Sequence, residues 1–447
     1  MNSKTLRVGL AAGLIAVPLV GPVAAQATDS LDGVWQTDGY GLVLAIDKGQ
    51  ARVYPTTSIS CSTPTIYRQS GNRFTANGEQ AFTITANRLH VEGNVGDKNL
   101  RRLRALPRTC TEPGPTGPRA VFDQFWTDYA ENYPFFKAKG IDWNAVRAKY
   151  RQRVTPGMSD DALFGLLADM IRPLNDAHTA VRTPEGKLYE GVRPGTTFPS
   201  EELEARLRPY IESTALKGIT YTSYANDRIG YAGLPGRIGY LRIIAFLGYG
   251  NIPDYNAERT ALNAALDQAL AGAQNLRGLI LDLRINGGGS DQLALDVASR
   301  LTDKPFFAYF KRARNDPADP TRFTKPQPFF VQPSNRRRYA GPLVILTGGS
   351  QMSAGETFTE AMMNRMPRPI RVGQNTQGVF SDTLQRTLPN GWEYILPNEE
   401  FRTLDWKAFD GPGIPPDIRV PVFTPEELNH HRDTAFATAL TLLKEGR

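Results

Sequence analysis

A buried strand that leads into a helix through a glycine and serine turn constrains this chain more than any other feature. Leu343 to Leu346 is wholly apolar, which is typical of a strand covered on both faces. Gly348 and Gly349 end that strand, and from Ala354 onward apolar residues recur at helical spacing. Ser353 therefore lies at the start of the helix, where backbone N–H groups can stabilise an oxyanion.

Two interpretations of Ser353 are open on this stretch alone. The position suits a catalytic nucleophile. However, Ser353-Ala354-Gly355-Glu356 is also a capping box, in which the serine caps the helix and Glu356 reaches back to the serine N–H. Helix caps far outnumber catalytic serines, so the local pattern favours capping. The rest of the chain has to decide between them.

The strand and helix unit recurs from Ile238 onward, which predicts an α/β fold with a largely parallel sheet. The residues before Ile238 divide into a β part and a helical part. The boundary between them is marked by a proline- and glycine-rich linker and by a change from β to helical periodicity. Thr424 is predicted to cap a final amphipathic helix with His430 and His431 on its solvated face. The predicted organisation is a signal peptide (1–27), a small disulfide-containing β domain (28–113), a linker (114–118), a helical subdomain (119–182), a connecting segment (183–236) and an α/β core with a C-terminal helix (237–447).

Residues 1–27 have the pattern of a secretory signal. Lys4 and Arg7 precede an apolar run, and Ala25-Gln26-Ala27 fits the small-residue cleavage rule. The apolar run is too short for a stable membrane span, and no other stretch approaches transmembrane length. The sequence therefore predicts an exported protein, periplasmic or extracellular. A net charge of +7 with no long basic block argues against nucleic-acid binding.

The chain has only two cysteines, Cys61 and Cys110. In an exported protein such a pair is expected to form a disulfide, and closing a loop of about 50 residues contributes roughly 4 kcal/mol to stability in the chain-entropy model. With two cysteines and four histidines, a structural zinc site is not expected. No cofactor is predicted either.

Two further runs carry candidate chemistry. Asp282 to Gly289 reads as a strand that ends in three glycines, a turn that lets backbone N–H groups approach a ligand; a purely structural turn is an equal alternative. Asp282 and Arg284 are expected to form a structural ion pair. His178, in Asn175-Asp176-Ala177-His178-Thr179, is the natural candidate for a base at neutral pH, although a lone loop histidine is usually a surface residue.

Taken together, these three runs resemble the tricorn-type branch of the C-terminal-processing serine peptidases, over roughly residues 119–422. The segment from Phe122 to Trp143 and the closing Gly413 to Asp417 are also similar to that branch. The resemblance implies a crotonase-like α/β peptidase core. It also implies site roles: Ser353 as nucleophile, His178 as general base and then acid, Asp410 as the residue that orients the histidine, and an oxyanion hole formed by the N–H of Ala354 and of Gly287 or Gly288.

The chain departs from the family pattern in three places. The processing branch uses a Ser–Lys dyad, but Val379 follows Gly378 where that lysine would stand. Ala177 precedes His178 where the tricorn protease has a serine that relays to the acidic residue, so Asp410 would have to reach His178 directly or through water. Only about 58 residues separate Thr179 from Arg237, which is too short for the PDZ domain of the processing branch.

The sequence therefore predicts a secreted or periplasmic serine endopeptidase that acts on peptides or unfolded protein segments, with oligomerisation possible. The alternative is a catalytically inactive relative whose cleft binds a ligand or peptide. The intact Ser353 and His178 favour the enzyme, whereas Ala177 and the shorter acid at Asp410 favour the binding protein. Carbohydrate binding by the β domain rests on its composition alone.

Overall fold

The computed structural model describes residues 31–252 and 254–446. The predicted signal peptide lies outside these residues. The N-terminal domain is a closed barrel of eight antiparallel strands, in which β1 pairs with both β2 and β8. The strands are β1 (Gly33–Thr37), β2 (Leu42–Asp47), β3 (Gln50–Pro55), β4 (Thr65–Ser70), β5 (Arg73–Thr75), β6 (Phe82–Thr85), β7 (Arg88–Val91) and β8 (Lys98–Leu103).

Within this domain, the sequence pattern does not indicate strands β4, β5 and β8. These three strands carry charged or polar residues at most positions, as in Lys98-Asn99-Leu100-Arg101-Arg102-Leu103. A barrel strand needs apolar side chains only on its inward face. The polar residues at alternate positions therefore make such a strand hard to recognise in the sequence. Phe74 and Leu100 are the inward residues that fill the barrel from β5 and β8.

Three helices follow the barrel, and their apolar faces form one core. They are α1 (Pro118–Asn132), α2 (Trp143–Arg151) and α3 (Asp160–Ile171). Side chains cap α2 and α3: Asp142 accepts the Ala145 N–H at 3.0 Å, and Ser159 accepts the Ala162 N–H at 3.3 Å. The aromatic side chains Phe122, Phe125 and Tyr129 of α1 are buried and pack against a small sheet of the α/β part.

That sheet holds the loop of His178 in place. Its strand order is β10-β9-β20-β19, and all of its pairings are antiparallel. A hairpin turn at Asn390-Gly391 joins its last two strands. The strands are β9 (Ala180–Arg182), β10 (Leu188–Glu190), β19 (Thr383–Thr387) and β20 (Glu393–Pro397).

The central sheet has seven strands in the order β11-β12-β13-β14-β17-β18-β22. The first two pairings are antiparallel and the other four are parallel, so the prediction of a largely parallel sheet is confirmed. Its strands are β11 (Tyr221–Tyr224), β12 (Ile229–Leu234), β13 (Ile238–Ile243), β14 (Gly278–Asp282), β17 (Leu343–Thr347), β18 (Ile370–Gly373) and β22 (Ile418–Arg419).

Helices cover both faces of this sheet. Leu279 and Leu281 of β14 point into a core shared with α5, α6 and α7, whereas Ile280 points into a core shared with α4 and α9. This alternation explains why the strands read as continuous apolar runs. The helices are α4 (Glu201–Thr214), α5 (Tyr255–Ala269), α6 (Asp291–Ser299), α7 (Ala354–Met362), α8 (Pro425–Asn429) and α9 (Thr434–Lys444).

A third sheet, of order β16-β15-β21, lies beside the core and contacts the barrel. Its strands are β15 (Phe306–Ala313), β16 (Gln327–Val331) and β21 (Glu399–Arg402). The architecture as a whole is mixed α/β with a small all-β N-terminal domain, as the sequence predicted. The domain boundaries given above remain predictions.

The prediction of a single C-terminal helix is wrong, because the structure has two helices there. Thr424 does cap α8, through the Glu427 N–H at 3.3 Å. That helix ends at Asn429, His431 has a positive φ of 48°, and Asp433 caps the second helix, α9. His430 and His431 thus lie in the connection between two helices. A second helix-capping residue, Asp433, follows shortly after Thr424 in the sequence, which indicates that one helix ends and another begins.

None of the helices within residues 31–252 and 254–446 combines the length and apolar character that a bilayer-spanning segment requires. The same residues contain no group of three or more His, Cys, Asp or Glu side chains placed to hold a metal ion.

Candidate active site

Ser353 lies at the sharp turn between β17 and α7, with a backbone conformation that few residues other than glycine adopt. Its φ is 54° and its ψ is −129°. A non-glycine residue in this region costs of order 1–3 kcal/mol, and such strain is concentrated at functional sites. The Ser353 N–H donates to the Val379 carbonyl at 2.9 Å, and the Ser353 carbonyl accepts the Glu356 N–H at 2.7 Å. The turn is therefore held through its backbone.

The capping box suggested by the sequence does not form. The Ser353 side chain makes no cap hydrogen bond to the helix. The Glu356 carboxylate turns away and accepts the Gly378 N–H at 2.7 Å and the Val379 N–H at 2.8 Å. Glu356 thus fixes the loop whose Val379 carbonyl holds the Ser353 N–H. The Ser353 hydroxyl is left available for chemistry.

His178 and Ser353 both line one cavity of about 890 Å³. His178 follows α3 on the loop that leads into β9, and its N–H donates to Asp176 Oδ1 at 3.0 Å. The residue is 7% exposed, and its Nδ1 has no hydrogen-bond partner within the described part of the chain. Burial lowers the pKa of His178, and the charges of Asp176 and Asp382 and a backbone hydrogen bond with Ser381 oppose that effect. The ring is accordingly neutral, as a base must be.

The glycine turn of residues 287–289 lies directly against Ser353. A Cβ at Gly288 would be 2.5 Å from the Ser353 Cβ and 3.0 Å from the Ala354 nitrogen. The Ala354 N–H has no hydrogen-bond acceptor among the described residues. The Gly288 N–H donates to Asn286 Oδ1 at 2.9 Å, and the Gly287 N–H donates to the Ile244 carbonyl at 2.9 Å. Of the two predicted glycines, Gly288 is the one that adjoins Ser353.

The expected structural ion pair before this turn is present and extends further than predicted. Arg284 is 1% exposed and contacts both oxygens of Asp282, at 3.0 and 2.6 Å. Its third bond, at 2.7 Å, goes to Asp433 Oδ1, at the cap of α9. The bidentate geometry and the extra partner satisfy a buried charge that would otherwise be costly. This network ties the end of β14 to the C-terminal helix.

Asp410 has contacts that the sequence did not predict. Its Oδ1 accepts the Phe380 N–H at 3.3 Å, and Oδ2 has no partner among the described residues. Burial raises the pKa of Asp410 well above its usual range, and the nearby carboxyls of Asp176, Glu356 and Glu360 raise it further. These effects favour the protonated form of Asp410, and its orienting role for His178 remains a prediction.

Val379 occupies the position at which the processing branch has its lysine. It is buried in a small apolar cluster with Ala177, Met352 and Phe198. The two sequence departures, Val379 and Ala177, thus belong to one apolar cluster together with Met352, the residue before Ser353.

A carboxylate that the sequence did not single out lies in the cavity with His178. Asp382 lines the same cavity, and Lys311 Nζ lies 3.1 Å from its Oδ2. Burial raises the pKa of Asp382, but the ammonium groups of Lys311 and Lys98 outweigh burial and lower it overall. Asp382 is therefore charged. Lys98 and Lys311 are 213 residues apart in the chain, so no local motif could have identified this cluster.

The two cysteines are joined as expected, with their sulfur atoms 2.07 Å apart. Cys61 lies between β3 and β4, and Cys110 lies just before the linker. The bridge therefore fastens the C-terminal end of the barrel domain, distant in sequence from Ser353 and His178.

Comparison with known proteins supports the same assignment. Residues 237–420 match the model of peptidase family S41, and residues 116–172 match the model of the tricorn protease C1 domain. Among proteins of curated function, none matches this chain significantly.

Solved structures resemble the chain over most of its length. A crystal structure described as a candidate peptidase from Parabacteroides merdae is 26% identical, with a TM-score of 0.62 over 74% of this chain and 97% of that chain. Mature CPAF is 14% identical, with a TM-score of 0.51 over 73% of this chain and 96% of that chain, a likeness in fold alone. The resemblance to the tricorn-type and C-terminal-processing serine peptidases drawn from the three sequence motifs is confirmed by the two family-model matches, which support a serine peptidase.

Proposed function

We propose that this protein is an exported serine endopeptidase in which Ser353 is the nucleophile and His178 the general base. The observation that carries the proposal is the strained turn at Ser353. Its hydroxyl is released from helix capping and shares a cavity with a buried histidine whose Nδ1 is unpartnered. Val379 at the lysine position supports a histidine as the base, because an apolar side chain cannot accept the proton.

The reaction follows from these positions. Ser353 Oγ attacks the scissile carbonyl carbon while its proton passes to His178. The negative oxygen of the tetrahedral intermediate accepts a hydrogen bond from the Ala354 N–H. The second donor is the Gly288 N–H, which in the structure donates to Asn286 Oδ1. His178 then gives its proton to the leaving amine, and the acyl group stays on Ser353 as an ester. Water, deprotonated by His178, hydrolyses that ester and restores both residues.

The cavity supports a peptide substrate. It lies between the barrel and the catalytic core, and residues of both line it, such as Gln80 from the barrel and Asn251 from the core. A volume of about 890 Å³ accommodates a few residues of an extended chain and excludes a folded domain. We therefore propose peptides or unfolded protein segments as substrates. Residues 1–27 support export.

The proposal is tested by labelling the mature protein with a fluorophosphonate probe, which reacts only with an activated serine. Wild type should be labelled, and both Ser353→Ala and His178→Ala should abolish labelling without unfolding the protein. Labelling that survives His178→Ala would refute His178 as the base. A folded wild type that stays unlabelled would refute the peptidase in favour of the ligand-binding relative, which Ala177 and the raised pKa of Asp410 would then explain.

A further inference from the structure

The barrel domain contacts the catalytic core at the active site itself. The loop of residues 92–97, between β7 and β8, reaches into the α/β core, and we call it the barrel loop. Val95 of this loop is 3% exposed and packs in the same apolar core as α6. Two hydrogen bonds join Asp97 to Gln327 of β16, at 3.0 and 2.9 Å. The barrel loop is therefore fixed to the core at both of these points.

The barrel loop also holds the element that follows the glycine turn. The Gly93 carbonyl accepts the hydroxyl of Ser290 and, at 3.2 Å, the N–H of Gln292. Ser290 caps α6, the helix that begins directly after the glycine turn. Gly93 thus fixes the start of α6 from outside the catalytic core.

The third contact is with the charged carboxylate beside His178. Asn94 Nδ2 donates to Asp382 Oδ2 at 2.8 Å, on the same oxygen that Lys311 contacts. Lys311 is shared with Glu399, at 2.9 Å, and Glu399 in turn accepts the hydroxyl of barrel Tyr40 at 2.9 Å. The position of Asp382 is therefore set jointly by the barrel and the core.

We propose that the barrel loop completes the catalytic site: Asn94 is a positioning residue that holds the Asp382 carboxylate where it stabilises the protonated form of His178. This inference rests on the proposed role of His178 as the base. It assigns the barrel a role in catalysis in addition to lining the cleft.

The carboxylates of Asp176 and Asp382 both raise the pKa of His178, the first more than the second. Asp176 is held inside the core, because its oxygens accept the backbone N–H of His178 and the Tyr133 hydroxyl and face Lys139 at 3.8 Å. Asp382 is charged, lines the cavity and accepts the Asn94 amide, so it is the carboxylate of the two that the barrel loop can position. The titratable groups around it are Asp291, Glu399, Lys98 and Lys311. A carboxylate that faces an imidazole favours its protonated form, which is the form that arises in the transition state.

The test measures the His178 imidazole directly, by NMR titration of the mature protein, alongside the rate constant of fluorophosphonate labelling as a function of pH. The chain has only four histidines, so the His178 signal is assigned from the His178→Ala spectrum. Three variants are compared with wild type: Asp382→Asn, Asn94→Leu, which removes the donor at similar volume, and Asn94→Gln, which keeps an amide. Asn315→Leu is the matched control, since Asn315 Nδ2 donates to barrel Asp38 at 2.9 Å in a different part of the interface.

We expect Asp382→Asn to lower the His178 pKa and to slow labelling at its pH plateau about tenfold. Asn94→Leu should move both quantities in the same direction by less, Asn94→Gln should restore part of the loss, and Asn315→Leu should change neither. A fall in labelling without any change in the His178 pKa would overturn the proposal, because it would mark a merely structural role. Failure of the proposed function is distinct: wild type would then be unlabelled, while the His178 titration would still report the effect of Asp382.

Discussion

Gly288 is in direct contact with Ser353, so close that the structure leaves no room for a side chain at position 288. A Cβ there would lie 2.5 Å from the Ser353 Cβ, a distance that real Cβ atoms do not show. The φ of Gly288 is +83°, which further disfavours any other residue. The glycine turn is thus in contact with the turn of Ser353, and each turn limits the position of the other.

Gly288→Ala should therefore damage the site more than the fold. The methyl group must displace Ser353 or tilt the glycine turn, and either change moves the nucleophile away from the Ala354 N–H. We expect the rate constant of fluorophosphonate labelling to fall about 100-fold or more, the loss typical of a damaged oxyanion hole. Thermal unfolding followed by circular dichroism checks that the variant still folds. Labelling at the wild-type rate would contradict the contact.

Gly165→Ala provides the opposite case in the same chain. Gly165 lies in the middle of α3, and a Cβ there would meet no atom within 4 Å. Alanine has a higher helix propensity and reduces the conformational entropy of the unfolded chain, so the free energy of unfolding should rise by about 0.5–1 kcal/mol. Urea titration measures the gain, and labelling of Ser353 should be unchanged. A destabilised variant would show that α3 has less space at this position.

The contrast between Ser353 and Asp382 shows what the sequence could and could not predict. Ser353 was found because a buried strand, a glycine break and a helix start are all local patterns, and the strand and helix units of the core follow the same logic. The capping box was also a local pattern, yet Glu356 bonds to Gly378 and Val379 instead, because a tertiary contact offered it two N–H donors. The spacing of residues in the sequence cannot show that such tertiary hydrogen-bond partners exist.

The interface between the domains lay beyond any local pattern. Asn94 and Asp382 are 288 residues apart, and neither stands in a motif. The polar strands of the barrel were missed for a related reason, since only one face of each strand is buried. Asp410 was inferred from the family pattern, and its actual neighbours, the Phe380 N–H and three other carboxyls, became visible only in three dimensions.

The pH dependence of labelling should have its acidic limb below the usual histidine value of about 6.5. Burial lowers the pKa of His178, so the imidazole stays neutral and able to accept a proton at pH values where a free histidine is charged. The lowered pKa of His178 also makes the stability of the folded state depend on pH. Between the folded and unfolded pKa values the unfolded state binds more protons, so the contribution of His178 to stability falls as the pH drops through that window.

Labelling rates measured from pH 4 to pH 8 in constant ionic strength check this expectation, and unfolding in urea at the same pH values gives the stability. His178→Gln removes the group from the linkage and is the control for other titrating residues. A midpoint at or above about 6.5 would mean that charged neighbours outweigh burial.

Glu356→Gln should weaken both the fold and the site. The two oxygens of Glu356 accept the N–H groups of Gly378 and Val379, but a glutamine offers one acceptor and one donor. One buried N–H would lose its partner, which costs about 1–3 kcal/mol. Because the Val379 carbonyl holds the Ser353 N–H at 2.9 Å, labelling of Ser353 should also slow. Urea titration and labelling kinetics measure the two effects.

Glu426→Gln is the matched control for this substitution. Glu426 pairs with Arg432 at the surface, and its side chain is 74% exposed on α8. Exposed ion pairs contribute little, so its free energy of unfolding should stay within about 0.5 kcal/mol of wild type. Equal effects of the two variants would show that the loop of Val379 does not depend on Glu356.

Removing the disulfide should destabilise the barrel before it affects the catalytic core. Cys61 and Cys110 are 49 residues apart, and in the chain-entropy model a loop of that length contributes about 4 kcal/mol. The double variant Cys61→Ser, Cys110→Ser should lose a large part of this in urea titration. Reducing agent should bring wild type to the same midpoint and leave the variant unchanged. Since the barrel loop holds Asp382 through Asn94, labelling of Ser353 should decline over the same urea range in which the barrel unfolds. Labelling that persists after the barrel has unfolded would show that the core keeps its site without the barrel.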